Sequence, residues 1–160
     1  MKVLVSTVSK NILGLFNSIW CNIRENDYLP ERVILFTRDD STLQPVLVGM
    51  LEVLLEEHGV EDPDVSIVHV DGDLRNLHLA IKGVLSEIVS AGCEVALDAT
   101  PGRKDEMITT VLTGWSETTF DRIFYTSLDT FENTMRPYIL VPWSFYHPHD
   151  IIREVSGNGD

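Results

Sequence analysis

Three short polar segments combine cations with hydroxyl, amide or glycine residues, a grouping that suits the oxygens of a phosphate. They read Ser6-Thr7-Val8-Ser9-Lys10-Asn11, Thr37-Arg38-Asp39-Asp40-Ser41 and Asp98-Ala99-Thr100-Pro101-Gly102-Arg103-Lys104. Four of the twelve basic residues, Lys10, Arg38, Arg103 and Lys104, fall in them, although the chain's formal net charge is −13. The third segment carries the strongest signal. Gly102 lets backbone approach a ligand with no side chain in the way. The helix expected after it offers unpaired N–H groups and the positive end of its dipole to an anion. Arg103 and Lys104 add formal charge, and Thr100 adds a hydroxyl. The alternative is an ordinary strand-to-helix turn with solvated Arg and Lys side chains. Neither an NTPase P-loop nor a G-x-G-x-x-G dinucleotide fingerprint occurs.

The elements that must present these segments follow from hydrophobic pattern. Lys2–Val8, Arg32–Thr37, Val65–Val70, Glu94–Asp98, Arg122–Leu128 and Tyr138–Val141 are β-branched or apolar runs. Several are nearly continuous, as in strands covered on both faces. Helical stripes lie between them: Ile12, Phe16, Ile19, Trp20 and Ile23; then Leu43, Val46, Leu47, Met50, Leu51, Leu54 and Leu55. Leu74, Leu77, Ile81, Val84, Leu85 and Ile88 form a third stripe, and Met107, Ile108, Val111, Leu112 and Trp115 a fourth. All four stripes are expected to be core. Strand–helix repeated four times, then two strands, predicts a Rossmann-like α/β three-layer sandwich: a mostly parallel six-stranded sheet with helices on both faces. The ligand crevice of such a sheet lies beyond the carboxyl ends of its strands, where the three polar segments fall.

Length and composition bound the function. The 160 residues suit one domain over 1–155, with 156–160 read as a disordered tail or the start of a linker. The acidic balance argues against duplex nucleic acid and anionic membrane as partners, but not against a small anion held by a local cluster. The start has no signal-peptide layout and no apolar run is long enough to span a bilayer, so the protein is read as cytoplasmic. Cys21 and Cys93 are read as small core hydrophobes. His147-Pro148-His149-Asp150 is read as a solvated segment rather than a chelator, and no metal or cofactor is expected. His58 suits a helix C-terminus, while His69 and His78 read as structural. Asp71, Gly72 and Asp73 suit a turn and cap. Asp39, Asp40 and Ser41 read the same way, which leaves Arg38 as the ligand contact of its segment. Asp98 orients either the loop or the ligand. Trp20 and Trp115 are expected in the core, and Trp143 is left open.

The first strand with its Ser/Thr loop resembles the CRISPR-associated Rossmann-fold (CARF) domains. So does the fourth strand, running into Thr100-Pro101-Gly102-Arg103-Lys104 with Met107 a turn later. Those domains typically carry a T-G-G-T-K-like loop; Thr100, Gly102 and Lys104 match it, while Pro101 replaces a glycine and Arg103 the threonine. The resemblance implies a homodimer that binds a cyclic oligoadenylate, often the four-membered ring, across its two-fold axis. The ligand contacts would come from Thr7, Ser9, Lys10, Asn11, Arg38, Thr100, Pro101, Gly102, Arg103 and Lys104. Some relatives also cleave the ring without a metal, the ribose 2′-OH attacking its own phosphodiester in line. Lys104 would then stabilise the transition state, with Ser9, Lys10 or Asn11 orienting the ribose. The chain ends soon after the expected sixth strand, which favours a standalone ring nuclease ending type III CRISPR signalling. The alternatives are a non-catalytic sensor or sponge, the sensor half of a longer effector, and a Rossmann-like enzyme acting on another nucleotide. The apolar residues of Tyr138–Phe145 are a candidate dimer interface.

Overall fold

The computed structural model describes residues 1–8, 10–38, 44–117, 120–129 and 136–157. In chain order these form β1 (Lys2–Thr7), α1 (Ile12–Glu25), β2 (Arg32–Thr37), α2 (Gln44–Glu57), β3 (Asp64–His69) and α3 (Leu74–Ser90). They continue with β4 (Glu94–Asp98), α4 (Lys104–Glu117), β5 (Arg122–Leu128), β6 (Tyr146–Asp150) and α5 (Ile151–Val155). One six-stranded sheet has the order β3-β2-β1-β4-β5-β6. All neighbours are parallel except β6, which pairs antiparallel with β5. The expected α/β Rossmann-like architecture is therefore present.

The apolar runs have two faces because helices cover both. Leu4, Val33, Leu35, Ala96 and Phe124 pack with Leu15 and Ile19 of α1 and with Leu47, Leu51 and Leu55 of α2. Val3, Val5, Ile34, Phe36 and Val95 face the other way, against Leu77, Ile81, Leu85 and Ile88 of α3. Adjacent strand residues thus enter opposite cores, as period-two geometry requires. Helix starts are specified locally. Asn11 caps α1 by accepting from the Gly14 amide at 3.0 Å. Asp73 caps α3 by accepting from the Arg75 and Asn76 amides, as its sequence position suggested.

Two sequence expectations fail here. The run Tyr138–Val141 is not a strand: Tyr138–Leu140 forms a 3-10 turn. Its residues are apolar because Tyr138 and Val141 pack with Cys21 and Tyr146, and against Trp20. That burial also removes Tyr138 and Val141 from the interface suggested for this segment. The sixth strand is instead the His-Pro-His segment, Tyr146–Asp150. It is an edge strand, where a proline's missing donor is tolerated. A buried Arg122–Asp150 ion pair, 2.7 Å long, ties it to β5.

The second failure is α4. Ile108, Leu112 and Trp115 are 60, 63 and 80% exposed, whereas Glu106, Thr110 and Thr113 are buried. The helix faces inward with its polar side. Its threonines can be buried because each bonds its own backbone: Thr110 Oγ1 donates to the Glu106 carbonyl at 2.9 Å, and Thr113 Oγ1 to the Thr109 carbonyl at 2.7 Å. Trp115 therefore lies outside the core expected for it. Trp20 is packed against Phe16 and Tyr138.

Candidate functional site

Strand order reverses between β1 and β4, so the crevice lies where the loops after these strands diverge. The two loops are fastened to one another. Ser6 Oγ donates to the Asp98 carbonyl at 2.8 Å. Gly102, at φ +96°, lays its backbone directly on Thr7, and a Cβ there would collide with Thr7 Oγ1. Both facts demand glycine at 102. Thr7 Oγ1 is itself buried and has no hydrogen-bond partner among the described residues. A buried hydroxyl left unpaired costs about 1–3 kcal/mol. Thr7 Oγ1 lies beneath Gly102, near the amino end of the 14-residue α4.

The structure separates the sequence-chosen cations into two kinds. Lys10 and Lys104 are exposed and make no ion pair or hydrogen bond among the described residues. Arg38 and Arg103 are accompanied. Arg103 donates from Nε and Nη2 to the two oxygens of Asp105 at 3.2 and 3.3 Å. Arg38 reaches across from the end of β2 to α4, its Nη1 lying 3.9 Å from Asp105 and 3.7 Å from Glu106. Two carboxylates in the first turn of α4 thus offset half the positive charge counted from the sequence. Desolvation pushes the Asp105 carboxyl up, but the hydrogen bond and charge of Arg103 outweigh it and hold the group below its ordinary range.

The remaining candidates serve the loops in part. Asn11 uses its side-chain oxygen as the α1 cap. Thr100 turns inward, its Oγ1 accepting from the Thr126 amide at 2.8 Å and so tying the β4–α4 loop to β5. Pro101 is half-buried beside it. Ser9, Asp39, Asp40, Ser41 and Leu43 lie outside the described residues, as does the side chain of Trp143.

Beneath the loop lies a cluster of buried polar side chains. Asp98 is fully buried, and its Oδ1 accepts from the Thr100 amide at 3.0 Å. It therefore orients the loop. Its Oδ2 has no hydrogen bond among the described residues. Burial pushes this carboxyl from 3.8 to about 6, against the opposing pull of the Ser18 hydroxyl and of Thr100. Ser18 Oγ stops short of hydrogen-bond geometry and has no other partner in the described residues. Nearby, burial pushes the Cys21 thiol up to about 12, so it is an inert core group as its sequence setting implied.

No histidine joins the site. His58 Nδ1 meets the Leu54 carbonyl, His69 meets Gln44 and His78 meets Thr113, all structural contacts. His147 and His149 pair with Asp129 and Glu154 on the β5–β6 edge. Among the described residues no group of three or more His, Cys, Asp or Glu is placed to hold a metal ion, and no helix is long and apolar enough to cross a membrane. Sequence reasoning missed Glu106 and the inverted α4. The available signal was a second stripe, Glu106, Thr110 and Thr113, at helical spacing opposite the apolar one.

No protein-family model matches the chain, and no curated protein matches it in sequence. Solved structures match its fold. Csm6 of Enterococcus italicus, bound to cyclic hexa-2'-fluoro-hexa-dAMP, aligns over 98% of this chain and 43% of its own, at TM-score 0.61 and 16% identity. Can2 of Sulfobacillus thermosulfidooxidans, in complex with cyclic tetra-adenylate, aligns over 78% of this chain and 32% of its own, at TM-score 0.53 and 16% identity. A type III CRISPR defence DNA nuclease activated by cyclic oligoadenylate aligns over 79% of this chain and 19% of its own, at TM-score 0.54 and 19% identity. The chain shares the Rossmann-like fold of these structures. The chain spans less than half the length of each of these proteins. The likeness holds at the level of fold, since identities stay below 20%.

Proposed function

We propose that this chain binds a cyclic oligoadenylate, with cyclic tetra-adenylate the first candidate, at the carboxyl rim of β1 and β4 in a two-fold homodimer. The observation that carries the reading is the convergence of Thr7 and Gly102 at the start of α4 with Lys10 and Lys104, which are exposed and make no ion pair or hydrogen bond among the described residues. It supports recognition of a phosphate rather than a solvated turn. Structures of the same fold that carry cyclic oligoadenylates support the ring as ligand. The exposed stripe Ile108, Leu112 and Trp115, beginning one turn beyond Lys104, supports pairing with a second copy. A two-fold axis beside α4 would present each loop twice to a ring that itself has two-fold symmetry.

Ring cleavage is the reaction assigned to this site. The ribose 2′-oxygen attacks the adjacent phosphorus, the P–O5′ bond breaks, and the products are a 2′,3′-cyclic phosphate and a free 5′-hydroxyl. The 2′ proton passes to solvent and the 5′-oxygen takes one up. Lys104 would neutralise the charge on the pentavalent phosphorus, with Ser9, Lys10 and Asn11 turning the ribose into line. Incubating the pure protein with cyclic tetra-adenylate in EDTA tests this. Linear product ending in a 2′,3′-cyclic phosphate is expected, and intact ring after many hours removes the enzyme.

A sensor or sponge is the second reading, favoured by the absence of any histidine in the described parts of these loops. Tight binding with full recovery of the ring would select it. A melting temperature raised by mononucleotides, and not by cyclic ligands, would instead select an enzyme on another nucleotide.

A further inference from the structure

Glu106 stands out as a carboxylate placed where an anion is expected to bind. Its side chain is 4% exposed, in the first turn of α4. One oxygen, Oε1, lies 3.7 Å from Nη1 of Arg38 and 3.9 Å from Nε of Arg103. These arginines come from different loops, after β2 and after β4. Two guanidinium groups brought together in a half-buried site repel one another. Negative oxygens near both offset that repulsion: Glu106 Oε1 lies within 4 Å of each, and Asp105 hydrogen-bonds Arg103 and lies 3.9 Å from Arg38.

The separations also matter chemically. Both of these separations exceed hydrogen-bond length, so these two contacts act by charge. Arg38 makes no hydrogen bond among the described residues, and its buried Nε has no partner there. An arginine carries five N–H donors in a fixed planar fork suited to phosphate. Arg38, half-buried and with no hydrogen bond among the described residues, has donors to offer a ligand.

We propose that Glu106 is a positioning residue. Its buried carboxylate gathers Arg38 and Arg103 from two loops to one point, where together they grip a single phosphate of the ring. The inference rests on the cyclic-oligoadenylate reading above for its ligand, but not for its geometry. It makes a prediction opposite to net charge. Removing a negative group from an anion site should tighten binding if charge alone mattered. Removing the group that assembles the site should weaken it.

The experiment compares wild type, Glu106→Gln, Arg38→Ala and the double variant by calorimetric titration with cyclic tetra-adenylate. Glu106→Gln is expected to bind at least tenfold more weakly. Arg38→Ala should weaken wild type but change the Glu106→Gln background by less than twofold, a coupling that a merely structural role would not produce. Equal or tighter binding by Glu106→Gln overturns the proposal, as does additivity of the two changes. Should that variant melt too low to titrate, Glu106→Asp keeps the charge and withdraws it by one methylene. A partial loss that retains the Arg38 dependence supports the proposal, and unchanged affinity overturns it. If wild type binds no cyclic adenylate of three to six units, the functional reading fails, and a ligand-free arm judges Glu106 separately. In 15N NMR the Arg38 Nε–H should exchange slowly in wild type and fast in Glu106→Gln; identical exchange overturns the proposal.

Discussion

Helices α3 and α4 pack against each other and bury opposite kinds of residue. α3 turns Leu77, Ile81, Leu85 and Ile88 onto the sheet and leaves its charged side in water. α4 buries Glu106, Thr110 and Thr113 and leaves Ile108, Leu112 and Trp115 in water. Where they touch, the contact is itself polar: His78 Nδ1 lies 2.8 Å from Thr113 Oγ1. The difference shows what each helix is for. α3 completes the monomer's core, because apolar area removed from water stabilises by about 25 cal/mol per Å². α4 adds little of that. Its buried hydroxyls are self-satisfied and its acidic first turn faces Arg38 and Arg103. The outward apolar stripe is the face on which the dimer proposed above would rest.

Breaking a core residue of α3 should give the largest effect. Leu85→Ala is expected to lower unfolding free energy by about 2–5 kcal/mol in urea titration. The same truncation in α4, Leu112→Ala, should leave the stability of the isolated monomer within about 0.5 kcal/mol. Comparable losses at the two positions would erase the contrast drawn here.

The polar region that α4 adjoins should next reveal itself through pH. Burial raises the folded Asp98 carboxyl from 3.8 to about 6. A group whose folded pKa is raised binds its proton more tightly when folded. Between these values the folded state therefore holds more protons than the unfolded one, and stability falls as pH rises. Above about pH 6 the full penalty is present, about 3 kcal/mol for a displacement of this size. The difference between wild type and Asp98→Asn, measured by urea unfolding from pH 4 to pH 7.5, isolates it from other carboxylates. A flat difference would mean that Asp98 titrates normally. Leu85→Ala, in the apolar region, should show no such slope relative to wild type.

A smaller energetic effect with a larger functional one is expected at Gly102. An Ala there must adopt φ +96° and meet Thr7 Oγ1, which should cost about 1–3 kcal/mol of stability. It should also open the Thr7 contact, so that binding of cyclic tetra-adenylate falls by at least tenfold while the fold persists by circular dichroism. The smallest stability change belongs to Trp115→Glu on the outer stripe, within about 0.5 kcal/mol for the monomer. In sedimentation it should shift the protein from dimer to monomer. An unshifted dimer would assign the stripe to another partner.

Much of this architecture is legible in the sequence. The runs of β1, β2 and β4 are continuous in apolar residues because both faces are covered, and that pattern survives without knowledge of neighbours. Asp73 and the Gly102 turn are likewise local. The sixth strand was misplaced because Tyr138 and Val141 owe their character to Trp20 and Cys21, distant residues on α1. The His-Pro-His edge strand has no apolar alternation to announce it. For α4, periodicity located the stripe correctly but not the side it would face.

Sequence alone determined the strand–helix alternation, the carboxyl-rim placement of Lys10, Arg38, Arg103 and Lys104, and the need for glycine in the β4–α4 turn. Those follow from period, connection and backbone sterics, which act over a few residues. Only the tertiary structure decided that two of the four cations share Glu106, that Gly102 lies directly on Thr7, and that α4 shows its apolar side to water. Pairing across loops, and the choice of which face a helix buries, depend on the space and charge that neighbouring elements leave unfilled.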